Sequence, residues 1–154
     1  METVLVVLTT SRSSQRAVDY AVERAARQGA RLLALFLVES EIAKGIFDTF
    51  SDIGFIGERP SAELTEAVMR EYRLRGRERL AAVGEAARKR GVPFEARMEE
   101  GDFLPTVLRV IEESGAATAV VARRKLKTLR RYFSASLSEE LREKAPCEVV
   151  IFDE

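Results

Sequence analysis

The side chains of this chain with the most chemical potential are cationic or hydroxylic. Arg123, Arg124, Lys125, Lys127, Arg130 and Arg131 place six positive charges within nine residues. Such a stretch can hold a phosphate, a nucleotide or an acidic partner surface through charge-assisted hydrogen bonds. It can equally be a solvated loop, as charge runs usually are. Thr9, Thr10 and Ser11 bring three hydroxyls together after an apolar run. Either they hydrogen-bond a ligand or they close a strand-to-helix turn. Ser136 opens the pattern Ser136-x-x-Glu139, a capping box at a helix start. A helix N-terminus also attracts anions, so capping and phosphate contact can coexist there. Cys147 is the single cysteine, which excludes an internal disulfide and a Cys-rich zinc site. With no activating neighbour in sequence, it reads as a buried, inert thiol. Histidine is absent, so a His general base, a Ser-His-Asp triad and a His metal ligand are all excluded. These residue types point to no catalytic residue and no metal site.

The wider composition narrows the class further. The chain has 154 residues, 46% hydrophobic and 32% charged, which suits one globular domain over 1–154. A chain of this length buries enough surface to fold without disulfides or metal. Its 25 basic residues balance its 25 acidic ones, so overall charge argues for neither a membrane surface nor specific nucleic-acid binding. Met1-Glu2-Thr3 lacks the basic start of a signal peptide, and the apolar run Val4–Leu8 is too short for a membrane span. A cytoplasmic protein is the expectation.

The positioning elements follow from periodicity. Val4–Leu8, Leu32–Val38, Phe94–Met98, Ala117–Ala122 and Glu148–Phe152 read as strands. Between them lie four helical patterns. The first is capped by Ser13 or Ser14 and ends at Gly29. The second runs from about Ala62 to Arg90. The third begins at Gly101-Asp102 and ends at Gly115, with Pro105 in its first turn. The fourth starts at Ser136 and stops before Pro146. Strands alternating with helices predict an α/β, doubly wound parallel sheet with helices on both faces. Ligands in such sheets bind beyond the carboxyl ends of the strands, where strand order reverses. That points to Thr9–Ser11, the residues after Val38, and those from Ala122 onward. The apolar set Ile42, Ile46, Phe47, Phe50, Ile53, Phe55 and Ile56 either folds back onto the sheet edge or forms a lid or partner surface.

The last third of the chain resembles the universal stress proteins. Val120-Val121-Ala122-Arg123-Arg124-Lys125-Leu126, then Ser134-Ala135-Ser136-Leu137-Ser138-Glu139, then Ala145-Pro146-Cys147-Glu148-Val149 align without gaps on that family's strand, its G-x-x-G-x9-G-[S/T] motif and helix, and its A-P-C-P-V segment. Val4–Ser11 resembles the family's opening strand and V-D-G-S turn, and Gly101 matches the glycine ahead of the third helix. The resemblance implies strand order 3-2-1-4-5. It also implies a homodimer paired through Val149, Val150, Ile151 and Phe152, and a non-enzymatic stress-response or regulatory role, with weak ATP hydrolysis, as in members that keep the glycine motif, as the alternative.

The resemblance further implies a nucleotide site at Thr9, Thr10, Ser11, Val38, Ala122, Arg123, Lys125, Ala135, Ser136 and Leu137. The three motif glycines fall on Ala122, Lys125 and Ala135, and the acid usual after strand one falls on Thr9. Glycine permits positive φ and close backbone approach to phosphate, which alanine and lysine oppose. Neither a Walker A sequence nor G-x-G-x-x-G occurs elsewhere to compensate. A degenerate site with no cofactor is therefore expected. The alternative is an ATP or AMP binder in which Arg123, Arg124, Lys125 and Lys127 replace the glycine motif as an anion site, or engage an acidic partner.

Overall fold

The computed structural model describes residues 1–40, 62–123 and 131–153, and the side chains of all of these except 62 and 131–136. Within them the elements run β1 (Thr3–Thr9), α1 (Gln15–Gln28), β2 (Arg31–Glu39), α2 (Ala62–Lys89), β3 (Phe94–Gly101), α3 (Phe103–Ser114), β4 (Thr118–Arg123), α4 (Arg131–Lys144) and β5 (Glu148–Asp153). The five strands form one sheet in order β3-β2-β1-β4-β5, and every pairing is parallel. This is the order implied by the resemblance.

Strand period divides β1 between two cores. Val4, Val6 and Leu8 face α1 and α2, where they meet Ala17, Val18, Ala21, Val22, Leu80 and Val83. Leu5 and Val7 face α3 and α4, among Phe103, Val107, Ile111 and Leu141. Alternate side chains of a strand point to opposite faces, so a run that is apolar throughout marks a strand covered on both sides.

Local chemistry sets the ends. Ser14 caps α1, its Oγ accepting from the Ala17 N–H at 3.2 Å. Gly29 ends the same helix with φ 61°, a left-handed conformation suited to glycine. Gly101 has φ 156°, and a Cβ there would lie 2.7 Å from Thr106 Oγ1, so the turn from β3 into α3 requires a glycine.

Two boundaries differ from the sequence reading. β3 runs on from Met98 to Gly101 because β2 offers it a parallel partner as far as Glu39. The last helix begins at Arg131, five residues ahead of Ser136, so Ser136-x-x-Glu139 lies inside the helix and does not cap it. No glycine or proline interrupts 131–136, and alanine at 135, where the motif has glycine, favours helix by about 1 kcal/mol. The apolar set of residues 42–56 lies outside the described residues.

Candidate functional site

Thr9, Glu39, Arg123 and Asp153 are the last residues of four parallel strands, so the sheet brings them to one edge. The turn after β1 is held largely by its own groups. Thr9 is buried, and its Oγ1 accepts from the N–H of Ser11 at 3.2 Å and of Arg12 at 2.8 Å. Its own N–H donates to Arg12 O at 2.8 Å. Thr10 donates its N–H to Leu37 O at 3.3 Å, while its buried Oγ1 has no hydrogen-bond partner among the described residues. Ser11 Oγ donates to Glu39 Oε1 at 2.6 Å, tying the ends of β1 and β2 together. Glu39 is only 5% exposed.

Arg12, at 1% exposure, runs from this turn toward α3 and α4. Its guanidinium carbon lies 4.2 Å from the centroid of the Phe103 ring, and Nη1 donates to the buried Ser138 Oγ at 3.3 Å. A guanidinium tolerates such a place because it is weakly hydrated and attracted to an aromatic face.

At the end of β4, Ala122 is buried and presents a Cβ where the family motif has glycine. Arg123, its side chain 32% exposed, is engaged by carboxylates: Nε lies 3.0 Å from Asp153 Oδ1 and Nη2 3.6 Å from Glu139 Oε1. Leu137 packs against the α3–α4 core, and Val38 is buried against α1 and α2. Arg124, Lys125, Lys127 and Arg130 lie outside the described residues. Ala135 and Ser136 are placed on α4 by its backbone, with their side chains outside the description.

The last strand lies at one end of the sheet, and its neighbour there is β4. Val149 and Ile151 pack toward α3 and α4, Val150 and Phe152 toward α1. Tyr20 lies against Phe152 with ring centroids 5.3 Å apart. Cys147 is half-buried, and desolvation, with Glu148 beside it, pushes its thiol pKa up.

The structure thus gathers Thr9, Thr10, Ser11 and Arg123 at the carboxyl edge, with Val38 and Ala122 buried beneath them. It adds Arg12, Glu39, Phe103 and Ser138, which sequence reasoning did not single out. Arg12 and Glu39 do carry a signal, each being a charged residue at or just past the end of an apolar strand. Ser138 carries none, since its role depends on where α4 packs.

A model of the Universal stress protein family matches residues 1–153. Among solved structures, a universal stress protein family member from Burkholderia pseudomallei is 25% identical, with TM-score 0.67, covering 98% of this chain and 95% of that one. UspA from Lactobacillus plantarum is 19% identical, with TM-score 0.65 and coverage of 98% and 97%. The Archaeoglobus fulgidus universal stress protein in complex with dAMP is 18% identical, with TM-score 0.56 and the same coverage. A search of curated protein sequences returned no match. With the family's sequence pattern spanning nearly the whole chain and its fold reproduced strand for strand, this chain belongs to the universal stress protein family.

Proposed function

We propose that this chain is a non-enzymatic stress-response or regulatory module that works as a homodimer and whose nucleotide site is degenerate. One observation carries the reading: the Thr9 hydroxyl at the end of β1 and the Arg123 guanidinium at the end of β4 are already engaged from within the chain. Thr9 Oγ1 accepts from two N–H groups of its own turn, and Arg123 sits between Asp153 and Glu139. A phosphate entering beside Arg123 meets two carboxylates that compete for the same cation and repel the incoming charge. The buried Ala122 carries a Cβ at the position where a motif glycine would let phosphate approach. Calorimetry of the purified chain with ATP and with AMP tests this. No saturable heat is expected at micromolar ligand, and a micromolar dissociation constant for either overturns the degenerate site.

A second reading has support from the relative solved with dAMP: the chain binds ATP or AMP, with basic side chains replacing the glycine motif. On that reading Lys125→Ala abolishes binding. On the degenerate reading, Ala122→Gly, Lys125→Gly and Ala135→Gly together create it. A sulfate or phosphate ion held at Arg123, Arg124 or Lys125 without nucleotide affinity fits a residual anion or acidic-partner site. Cytoplasmic residence and the absence of nucleic-acid binding belong to the same reading.

A further inference from the structure

The turn after β1 sends one large side chain into the interior. Arg12 is 1% exposed and is the largest fully buried side chain among the described residues. Arginine is almost never buried to that degree unless its surroundings receive it. Thr9 holds its backbone at both ends: the Arg12 N–H donates to Thr9 Oγ1 and the Arg12 carbonyl accepts from the Thr9 N–H, each at 2.8 Å. The guanidinium thus reaches inward from an anchored base.

Topology says where it arrives. In the order β3-β2-β1-β4-β5 the chain winds one way from β1 through β2 and β3, and β4 and β5 lie on the other side of β1. In such a sheet the ligand crevice opens between the carboxyl ends of β1 and β4. Thr9, Glu39 and Arg123 each stand two residues beyond a member of the α3–α4 core, Val7, Leu37 and Val121, so they face that side of the sheet edge. Arg12 enters the same side. It lies over the ring of Phe103, the first residue of α3, at 4.2 Å, and donates to the fully buried Ser138 Oγ of α4 at 3.3 Å. The surroundings suit a planar cation. The ring offers its negative face, the hydroxyl accepts, and Glu39 places a buried acid on the same side of the edge. An anion would find none of these favourable.

We propose that this crevice is a site for a planar cation of the guanidinium class, and that the chain fills it with its own Arg12. The inference goes beyond the nucleotide reading, which is carried by Thr9, Ala122 and Arg123 and not by Arg12, Phe103 or Ser138.

Arg12→Ala empties the crevice from Cγ outward, and ethylguanidinium replaces the atoms removed. Buried cavities made by truncation do take up ligands of the missing shape. In an amide NMR titration of the variant, ethylguanidinium should give saturable shifts at Thr9, Phe103 and Ser138. Ethylurea, its uncharged counterpart, should bind about tenfold more weakly, the loss expected when a desolvated cation–π contact is removed. The wild type, already filled, should show no saturable shift at these amides with either compound. One measurement needs no alanine variant. In the wild-type chain the Arg12 guanidinium should give slowly exchanging signals displaced by the ring current of Phe103, and Phe103→Leu should abolish that displacement. No saturation by ethylguanidinium at tens of millimolar in a folded Arg12→Ala variant overturns the proposal. So does equal affinity for ethylurea, or an Arg12 guanidinium that exchanges like the exposed arginines. Ethylguanidinium binding to the wild type as tightly as to the variant also overturns it, and leaves the degenerate nucleotide site standing. AMP binding to the wild type with the Arg12 signals unmoved overturns the degenerate site and leaves the internal ligand in place.

Discussion

Thr10 and Cys147 show how burial decides what a polar side chain does. Among the described residues Thr10 Oγ1 is buried without a hydrogen-bond partner, and an unsatisfied buried hydroxyl costs about 1–3 kcal/mol. Thr10→Val keeps the shape and removes the hydroxyl, so it should stabilise the fold by about 1 kcal/mol in urea denaturation. A loss of stability would mean that the hydroxyl serves the folded chain. For Cys147, desolvation raises the thiol pKa above its ordinary 9.0, and Glu148 adds to the shift. Near neutral pH the thiolate is scarcer than in a free cysteine. Iodoacetamide should therefore label Cys147 at least about tenfold more slowly than a free thiol at pH 8, with the full rate restored in guanidinium. Equal rates in the folded and unfolded chain would contradict a shielded thiol. Both residues were legible as types, but Thr10 looked as much a ligand group as a turn residue until its surroundings were known.

At the scale of the element, α2 shows why a glycine can belong inside a helix. Its 28 residues include Gly76 and Gly84. Intrinsic propensity makes Gly→Ala favourable by about 1 kcal/mol at an open helical position. At Gly76 a Cβ would meet Phe36 Cδ1 at 2.5 Å and Met98 Cε at 2.8 Å, so the helix lies close on the sheet through the missing side chain. Gly76→Ala should therefore destabilise, by about 1–3 kcal/mol, the range for overpacking a core. Thermal unfolding decides the sign: a rise in Tm would mean that the helix shifts at little cost. The sequence placed this helix correctly from its periodicity. The close approach to Phe36 was not legible, because it pairs residues 40 apart on different elements.

At the scale of the whole molecule, charge and edge exposure make the testable differences. Glu99 is held below its ordinary pKa of 4.5 chiefly by the hydrogen bond from Arg97. Glu113 is lowered by Arg97 and then Arg109, Glu148 by Arg24, Glu23 by Arg90 and Glu85 by Arg88. A carboxylate with a depressed folded-state pKa contributes stability above its unfolded value, and that contribution disappears as pH falls through the folded value. The melting temperature should therefore fall once pH drops below about 4.5, and less steeply at high salt, since these pairs are largely exposed and screened. A flat profile down to pH 3 would show that the pairs contribute nothing. On the proposed dimer, β5 ends the sheet, and an unpaired edge of Val149, Val150, Ile151 and Phe152 invites a second copy. Light scattering should give a dimer at micromolar concentration, and Val150→Pro should give a monomer. A wild-type monomer would remove the homodimer from the functional reading.

The sequence by itself determined the α/β class, the alternation of elements and the family pattern, because hydrophobic period and capping residues are local signals. Val4–Leu8 is apolar throughout, and that alone required cover on both faces. The glycines missing at Ala122, Lys125 and Ala135 were equally plain in the sequence, and they pointed to an altered site. Tertiary structure alone decided how that site is filled. Arg12 reaches Ser138 across 126 positions, and Ser11 reaches Glu39 across 28. Arg123 reads as a free cation in the sequence until the ends of β4 and β5 bring Asp153 beside it. Such contacts depend on which strands become neighbours and which face each helix covers. A one-dimensional pattern records which side chains are charged or apolar. Only packing determines which of them meet.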